Sequence, residues 1–274
     1  EAALQLDDEV KQEKIKYQLD ALGHYMVLLK EEARLEKEGT KELVSDISHQ
    51  LKTPVAALDT CFSVLLRENL SEEERKEFQV RCRCALDGLE VLLQSLLQIS
   101  KMEAGLIQIN REKLPLMETI IRAVNRVYPN AGAKEIEFVF DYDKALENDC
   151  ILQDKKWLGE AFINVFDNAI KYSPAGSEVY VRIQKRTDFI RIEIEDNGVG
   201  IPKVEYHKIF QRFFRGSLPE VKEENGSGIG LFLSRKIIEQ HGGTITVSSN
   251  LELKKELDGK TGSVFIIQLP DNAK

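Results

Sequence analysis

Apolar residues recur every three or four positions through most of the first 105 residues, which is the spacing of amphipathic helices. The pattern falls into two stretches, residues 40–67 and 71–104, and in the second the spacings alternate between four and three as in a coiled-coil heptad. Each stretch therefore predicts one long helix with a single apolar stripe. The stripe positions are Leu43, Ile47, Leu51, Val55, Leu58, Phe62 and Leu65 in the first helix and Phe78, Cys82, Ala85, Leu89, Leu92, Leu96 and Ile99 in the second.

A short polar break separates the two helices. Ser71 is followed by the acids Glu72–Glu74, and a hydroxyl cap with acids in the first turn is a typical helix start. Asn69–Leu70 therefore forms a tight turn, and Gly105 ends the second helix. The segment 40–105 is predicted to be an antiparallel helical hairpin.

A hairpin with one wide apolar stripe cannot bury that stripe by itself. Pairing two hairpins into a four-helix bundle does bury it, so the pattern predicts a homodimer. The segment 1–39 is also helical in pattern and is expected to form an N-terminal signalling coiled coil. Two interpretations of this segment stay open, a plain extension of the bundle or a lever that carries a signal from upstream.

From residue 106 onwards the pattern changes to short alternating strands and amphipathic helices. The fold class expected for the chain is therefore α+β, a helical hairpin followed by an α/β sandwich over residues 106–274. Adjacent strand pairs, such as those joined at Thr187–Asp188, indicate a mixed sheet with helices on one face, not a Rossmann unit. Strands are predicted at 106–110, 136–140, 178–186, 189–195, 244–249 and 263–269, and helices at 116–127, 155–172 and 229–240.

Composition narrows the classes of function. The net charge of −8 and the lack of a basic stretch interleaved with aromatics argue against a nucleic-acid partner. The four cysteines lack the spacing of a zinc site and the density of a disulfide scaffold, so reduced thiols are expected. No apolar run reaches membrane-spanning length, and the chain begins inside a helical pattern. We therefore expect a soluble part of a longer protein.

His49 is the first candidate for chemistry. A helical histidine is most often a plain surface residue, but His49 lies off the apolar stripe and close to Pro54. A proline inside a helix removes one backbone hydrogen bond and favours a bend there. An imidazole nitrogen is a competent nucleophile at neutral pH. The pattern thus points to a phosphate acceptor.

A second group of polar residues lies on the helix predicted at 155–172. Asn164 and Asn168 are four residues apart and share one helix face, which Glu160 and Lys171 extend. Amide and carboxylate oxygens suit Mg²⁺, and a lysine suits phosphate. Taken alone, the same pattern also describes a solvated polar face.

Two glycine-rich segments follow. Asp196–Gly200 comes after a strand, where the carboxylate can accept a hydrogen bond from an adenine amine; the plain alternative is a common turn. Gly226–Gly230 opens a helix, where backbone N–H groups bind phosphate. The polar segment 217–225 before it is expected to be a mobile lid. Three phenylalanines, Phe210, Phe213 and Phe214, fit a lid anchor or ordinary core equally well, and Arg212 and Arg215 are candidates to reach a phosphoryl group.

Together these residues resemble the cytoplasmic part of the two-component sensor histidine kinases of the HisKA type. Five motifs stand in the order that is typical of that family, which is far more specific than any one motif, and the resemblance covers residues 40–270. It implies a dimeric phosphoacceptor hairpin and a Bergerat-type ATP-binding domain. The motifs are the H box Ser48–Pro54, the N box Glu160–Tyr172, the glycine boxes Asp196–Gly200 and Gly226–Leu231, and the F box Phe210–Phe214.

The resemblance implies roles for individual residues. His49 would be the phosphoacceptor, Thr53 would orient water for dephosphorylation of a response regulator, and Arg215 would meet the γ-phosphate. The cofactors would be ATP and Mg²⁺, the partners a second copy and a receiver domain, and the full-length protein would be membrane-anchored on its cytoplasmic side. The implied ATP ligands are Asn164, Asn168, Lys171, Tyr172, Asp196, Gly198, Gly200, Gly226, Gly228, Gly230 and Leu231, with Glu160, Asn164 and Asn168 at Mg²⁺.

One position departs from the family pattern. Most members carry an acid directly after the histidine, and that acid is assigned as the base; here the residue is Gln50. A glutamine can hold the imidazole tautomer but cannot take a proton at neutral pH. Asp46, one helical turn earlier, is either a substitute base or a plain surface acid, and the second interpretation is favoured.

Other classes of function remain to be separated from autokinase activity. A gyrase-like or chaperone-like ATPase would share the nucleotide site but lack the histidine-bearing hairpin. A nucleotide-gated dimeric scaffold, or a regulator phosphatase with weak kinase activity, would share both, and Gln50 gives these alternatives some weight.

Overall fold

The computed structural model describes residues 30–31, 34, 41, 44–67, 70–103, 109–224, 226–249 and 262–271. The chain divides into two compact units, residues 1–57 and 58–274. Most of the predicted N-terminal coiled coil, together with Asn69 and Gly105, lies outside the described residues. Within the ranges that the structure describes, no helix combines the length and apolarity needed to cross a bilayer.

The two predicted long helices are present. Helix α1 spans residues 44–65, and α2 is Glu72–Glu103. The start of α2 is a reciprocal capping box, in which the Glu74 N–H donates to Ser71 Oγ at 3.2 Å and the Ser71 N–H donates to Glu74 Oε2 at 2.9 Å. The sequence prediction of a capped helix start at Ser71 is confirmed.

The heptad stripe of α2 is the shielded side of that helix. Leu92 is 4% exposed, whereas its neighbour Leu93 is 56% exposed. Cys61 of α1 is also buried. All four cysteines are free thiols, as the spacing predicts. Besides Leu93, the exposed large apolar residues of α2 are Val80, Leu86, Val91 and Leu97.

The second part of the chain begins with a short strand and a long helix. Strand β1 is Glu112–Pro115 and pairs antiparallel with β3, Cys150–Gln153. The strand predicted at 106–110 is wrong in its described part, because the Asn110 N–H donates to the Asp154 carboxylate at 3.1 Å and not to a neighbouring strand. Helix α3, Leu116–Ala133, continues past its predicted end.

A five-stranded mixed sheet forms one layer of this part of the chain. Its strands are β2 (Glu137–Tyr142), β4 (Glu178–Lys185), β5 (Phe189–Glu195), β6 (Thr244–Ser249) and β7 (Ser263–Pro270). The order is β2-β4-β5-β7-β6, with β2 and β4 parallel and the other neighbours antiparallel. The predicted hairpin at Thr187–Asp188 joins β4 and β5.

Three helices form the second layer: α3, α4 (Lys155–Tyr172) and α6 (Gly230–Gln240). Alternate apolar residues of the central strands are buried beneath these helices, and Phe162 and Phe166 of α4 are completely buried there. The sequence did not predict β3 or the short helix α5, Pro219–Glu223. The α+β class and the mixed sheet with helices on one face are as predicted.

Candidate functional site

One cavity of about 400 Å³ lies between α4, the loop after β5, the segment before α5 and the start of α6. Its polar lining includes side chains of α4, and its apolar lining includes Ile201, Ile209, Phe214 and Phe265. Of the residues predicted to bind ATP, all except Gly198 line this cavity. They are Asn164, Asn168, Lys171, Tyr172, Asp196, Gly200, Gly226, Gly228, Gly230 and Leu231, and Glu160 and Arg215 line it as well.

Helix α4 supplies much of the polar lining of the cavity. Asp154 fixes where the helix begins, because its Oδ1 accepts hydrogen bonds from the N–H groups of Lys156 and Trp157 at 3.0 and 3.2 Å. The cavity-facing side chains then follow at positions 160, 164, 168 and 171, on one helix face. The opposite face of α4 is core, so this polar face is turned into a cleft and not towards open solvent.

Asn164 is the most constrained of these polar residues. Its Nδ2 is buried and has no hydrogen-bond partner among the described residues. The carboxamide also lies against the start of α6, since a Cβ added at Gly230 would be 3.3 Å from Asn164 Oδ1. A buried amide without a partner is costly, and a ligand in the cavity can supply that partner.

Asp196 is a buried carboxylate that also lines the cavity. Its Oδ1 accepts hydrogen bonds from the N–H groups of Gly198 at 2.9 Å and Ser263 at 3.1 Å. Burial raises the pKa of Asp196 from 3.8 to about 6, although these two hydrogen bonds oppose the rise. The group is therefore ionised at neutral pH, and it is an acceptor of the kind that an exocyclic amine requires.

Gly198 is needed for its lack of a side chain. A Cβ at this position would lie 2.7 Å from the Tyr172 carbonyl oxygen and 2.9 Å from Asp196 Oδ1. Only glycine lets the loop after β5 approach the end of α4 this closely. Gly198 therefore supports the cavity wall from behind.

The second glycine segment also has a steric requirement. Gly228 has a φ of 68°, and a Cβ there would lie 2.6 Å from the Phe213 carbonyl carbon. Helix α6 then begins with Ile229 as its N-cap, a residue with no side-chain oxygen to accept the first N–H groups. Unaccepted N–H groups at a helix start that lines a cavity form an anion-binding arrangement.

Lys171 and Tyr172 occupy the last turn of α4. The Lys171 ammonium lies 5.2 Å from the centre of the Tyr172 ring. Burial lowers the pKa of Lys171, and the Glu224 carboxylate nearby counteracts this lowering. Burial raises the pKa of the Tyr172 hydroxyl. The pair presents one amine and one aromatic ring to the cavity.

The segment before α6 contacts the cavity through Arg215. Its guanidinium donates to the backbone carbonyls of Val221, at 2.8 Å, and Glu224. Arg212 instead stacks over the Phe232 ring at 4.9 Å and does not line the cavity. Of the two candidate arginines, only Arg215 is at the site.

The three phenylalanines of this region divide between core and cavity. Phe210 and Phe213 are buried, and Phe210 belongs to the main core. Phe214 is half-buried and lines the cavity. The core interpretation is therefore confirmed for Phe210 and Phe213, and the role of lid anchor stays a prediction for Phe214.

The predicted phosphoacceptor region lies in the unit 1–57. His49 and Thr53 are exposed on helical residues, and Gln50 and Asp46 are half-buried. Ser48 Oγ donates to the Val44 carbonyl at 2.8 Å, one turn before. The exposure of His49 is what a phosphoacceptor requires.

The oxygen donors predicted for Mg²⁺ lie together at the cavity. Glu160 offers a carboxylate, and Asn164 and Asn168 offer amide oxygens. Among the described residues, no cluster of three or more histidine, cysteine, aspartate or glutamate side chains could hold a metal ion. Oxygen donors of this kind suit Mg²⁺, which proteins usually bind through one or two carboxylates together with phosphates of a substrate.

Several cavity residues were not predicted from the sequence. Glu205 is buried, and its Oε1 accepts a hydrogen bond from the Ser217 N–H at 3.1 Å. Ser263 and Phe265 come from β7, far away in the sequence. The strand alternation around these two residues shows only that one side of β7 is buried, so the sequence carries no signal for their place in the cavity.

Comparison with family models matches two parts of the chain. Residues 40–105 match the His Kinase A (phospho-acceptor) domain. Residues 153–273 match the histidine kinase-, DNA gyrase B- and HSP90-like ATPase family. The two matches stand in the order that the sequence motifs predict.

Individual relatives agree with the family models. The chain is 31% identical over 249 residues to the sensor protein kinase WalK of Staphylococcus aureus, covering 89% of this chain and 57% of that relative. It is 32% identical to the solved mycobacterial sensor histidine kinase MprB, with a TM-score of 0.51, covering 58% of this chain and 97% of that one. The chain thus spans little more than half the length of the WalK relative.

A third likeness concerns the fold alone. The histidine kinase ThkA, solved in complex with the response regulator protein TrrA, superimposes with a TM-score of 0.64 at 22% identity. This match covers 84% of the present chain and 61% of the solved one. Both the helical and the sandwich parts of the fold therefore have precedent in one solved protein.

Proposed function

Because this chain belongs to the two-component sensor histidine kinases of the HisKA type, we propose that it is an ATP-dependent protein-histidine autokinase. It phosphorylates His49 and passes the phosphoryl group to an aspartate of a response regulator. One observation carries the proposal: the predicted nucleotide ligands meet in one cavity, in a chain whose residues 40–105 match a phospho-acceptor domain.

The cavity suggests a division of labour around ATP. Asp196 accepts a hydrogen bond from the adenine amine, while the apolar lining, which includes Phe214, encloses the base. Lys171 and the N–H groups at the start of α6 hold the phosphates, and Arg215 meets the γ-phosphate. Glu160, Asn164 and Asn168 hold Mg²⁺, which supplies positive charge to the phosphates.

The acceptor side of the reaction involves His49. An imidazole nitrogen takes the γ-phosphoryl group, the bond to the ADP oxygen breaks, and the ring loses its proton. Gln50 holds the tautomer of the ring, and Thr53 orients water when the regulator is dephosphorylated. Exposure of His49 on its helix is compatible with approach by a separate domain.

The organisation of the protein is part of the proposal. We assign residues 1–39 to a signalling helix, 40–105 to dimerisation and phosphoacceptance, and 106–274 to ATP binding. The active species is a homodimer, and its partner is the receiver domain of a response regulator, the class of protein with which ThkA was solved. The full-length protein is anchored at the cytoplasmic side of a membrane through a region outside this chain.

Incubation with ATP labelled at the γ-phosphate, with and without Mg²⁺, tests the function. We expect a Mg²⁺-dependent label on the protein that acid removes and alkali does not, as for phosphohistidine. A receiver domain added afterwards should take up the label. Release of labelled phosphate without labelled protein would identify a gyrase-like ATPase instead. If neither labelled phosphate nor labelled protein forms, the scaffold alternative is favoured.

A further inference from the structure

Lys134 lies outside every motif of the family, yet its side chain ends at the nucleotide-binding helix. Its ammonium donates to the carbonyl oxygens of Lys171 at 2.6 Å, Ile170 at 3.2 Å and Ser173 at 3.5 Å. These carbonyls belong to the last turn of α4 and the residue that follows it. One half-buried cation therefore closes the C-terminal end of that helix.

The end of α4 needs such a partner. The last carbonyls of a helix have no N–H partner within it, and a left-handed glycine often closes the end. Here the residue after the helix is Ser173, in an extended conformation with φ −83° and ψ 147°, and Pro174 follows. The chain turns away at once without an αL glycine, and the partner that these carbonyls have in the structure is the Lys134 side chain.

The backbone of Lys134 is held in place from both sides. Its N–H donates to the Ala131 carbonyl at 3.1 Å, and its own carbonyl accepts from the Gly176 N–H at 2.9 Å. Glu135, the next residue, has a φ of 56°, which turns the chain sharply between α3 and β2. The point from which the Lys134 side chain starts is thus fixed by backbone hydrogen bonds on both sides.

The charge at this position matters because of what α4 faces. The C-terminal end of a helix carries partial negative charge, and Lys171 and Tyr172 at this end line the cavity. The Asp167 carboxylate adds to the negative field around Lys171. A triphosphate brought to this helix end would be repelled unless a cation neutralises the exposed carbonyls.

The same contact also sets the geometry of the site. The carbonyls that Lys134 holds flank the Tyr172 carbonyl, which is packed against Gly198 in the loop that carries Asp196. The Lys171 side chain leaves the helix at the very residue whose carbonyl makes the 2.6 Å bond. Lys134 therefore fixes the point from which Lys171 reaches the phosphates.

We propose that Lys134 is a positioning residue for the phosphate end of the nucleotide site: it neutralises the C-terminal carbonyls of α4 and fixes the backbone of Lys171. The inference rests on the proposed ATP-binding function and deepens it. It assigns Lys134 an effect on phosphate binding that exceeds its effect on binding of the base.

Calorimetric titration of the whole chain with MgATP and with adenosine tests this. We compare the wild type with Lys134→Met, Lys134→Gln and Lys134→Arg, at a temperature where circular dichroism shows each variant folded. Lys155→Met is the matched control, because Lys155 is a lysine at the other end of the same helix, where it pairs with Glu118.

The expected result is a loss for MgATP that adenosine does not share. Lys134→Met should raise the Kd for MgATP about tenfold and that for adenosine by less than about twofold, since a cation at a helix C-terminus acts on the charged ligand. Lys134→Arg should restore binding, and Lys155→Met should bind as the wild type does. Lys134→Gln keeps a neutral donor and should lose MgATP affinity in the same direction, so it decides the matter if Lys134→Met does not fold.

Two results would overturn the assignment. One is a folded Lys134→Met or Lys134→Gln variant that binds MgATP as tightly as the wild type. The other is an equal loss for MgATP and adenosine, which would make the lysine a support of the fold only. A wild type that binds no MgATP would instead refute the proposed function itself, and the two failures are thus distinguishable.

Discussion

At the scale of single residues, Asp196 is subject to two opposing requirements. An ionised carboxylate is the strongest acceptor for an adenine amine, but the burial that shapes the cavity disfavours that charge and raises the pKa of Asp196 to about 6. The backbone N–H groups of Gly198 and Ser263 recover part of the cost by donating to Oδ1. Asp196 therefore trades stability for recognition.

Replacing Asp196 by asparagine should change base selectivity. The amide would keep an acceptor for the two backbone N–H groups but would present an NH₂ group to the base. Loss of a hydrogen bond to a charged acceptor costs on the order of 1–3 kcal/mol. We expect Asp196→Asn to weaken ATP binding and to reduce the preference for ATP over GTP, measured by calorimetry. Unchanged discrimination would count against the base-reading role.

The same substitution should stabilise the nucleotide-free protein. Because the pKa of Asp196 is higher in the folded protein than its ordinary 3.8, the folded state favours the protonated form. The stability that protonated Asp196 contributes to the folded protein is complete below pH 3.8 and is lost as the pH rises through about 6.

The rise in the pKa of Asp196 corresponds to roughly 3 kcal/mol, since one pKa unit is worth about 1.4 kcal/mol. Asp196→Asn should therefore raise the free energy of unfolding at pH 7 by up to about that amount. Denaturant unfolding of both proteins across this pH range checks it. A variant that is less stable than the wild type at pH 7 would contradict the interpretation.

Gln50 supports a third prediction at this scale. If Gln50 only orients the imidazole, Gln50→Glu supplies a base and should raise the single-turnover rate of His49 phosphorylation, by ~100-fold where proton removal is limiting. The gain should vanish at acidic pH, and Gln50→Leu should be slower than the wild type. If Asp46 already acts as the base, Asp46→Asn should abolish most of the rate and Gln50→Glu should do little.

At the scale of elements, local signals account for most of what the sequence predicted correctly. Helix α4 has the predicted bounds because the Asp154 cap and the Ser173–Pro174 end are both local. Helix α3 was predicted too short, since it continues to Ala133 with Pro129 inside it. Pro129 cannot donate to the Asn125 carbonyl, but both residues are exposed, so water can take the place of the missing N–H.

Strands β1 and β3 were missed or displaced for a different reason. Each has four residues, and they pair only with one another, about forty positions apart. Four residues are too few for alternation to be read, so only the partner strand defines them. Helix α5 has only five residues, and Arg215 donates to the carbonyls of Val221 within it and of Glu224 after it.

The two faces of α2 lead to a prediction about assembly. Leu92 is shielded within a single chain, whereas Leu86, Leu93 and Leu97 form an exposed apolar row at spacings of seven and four. Such a row is expected to be covered by the second copy. Leu93→Asp should therefore give a monomer by light scattering that keeps its helical circular dichroism.

Leu92→Ala is the matched comparison for this experiment. It should cost about 2–5 kcal/mol of stability, because it opens a cavity inside the single chain. A Leu93→Asp protein that stays dimeric would show that this row is not the interface.

At the scale of the whole molecule, the sequence predicted the kinds of residue at the site better than their surroundings. Motifs mark the residues whose side chains or glycine backbones meet the ligand, such as Asn164 and Gly228. They do not mark Lys134, Glu205 or Ser263, which reach the site through long-range packing. From the sequence, Lys134 is an ordinary surface lysine at the end of a helix. Only the folded structure shows that the end of α4 lies beside it.

The proposed reaction involves two parts of the chain, the nucleotide cavity and His49. Site mapping of the label after incubation with γ-labelled MgATP, in the wild type and in His49→Gln, tests it most directly. We predict that the wild type carries acid-labile phosphate on His49 alone and that His49→Gln carries none while still binding MgATP with unchanged affinity. Label at the wild-type level in His49→Gln would contradict the account.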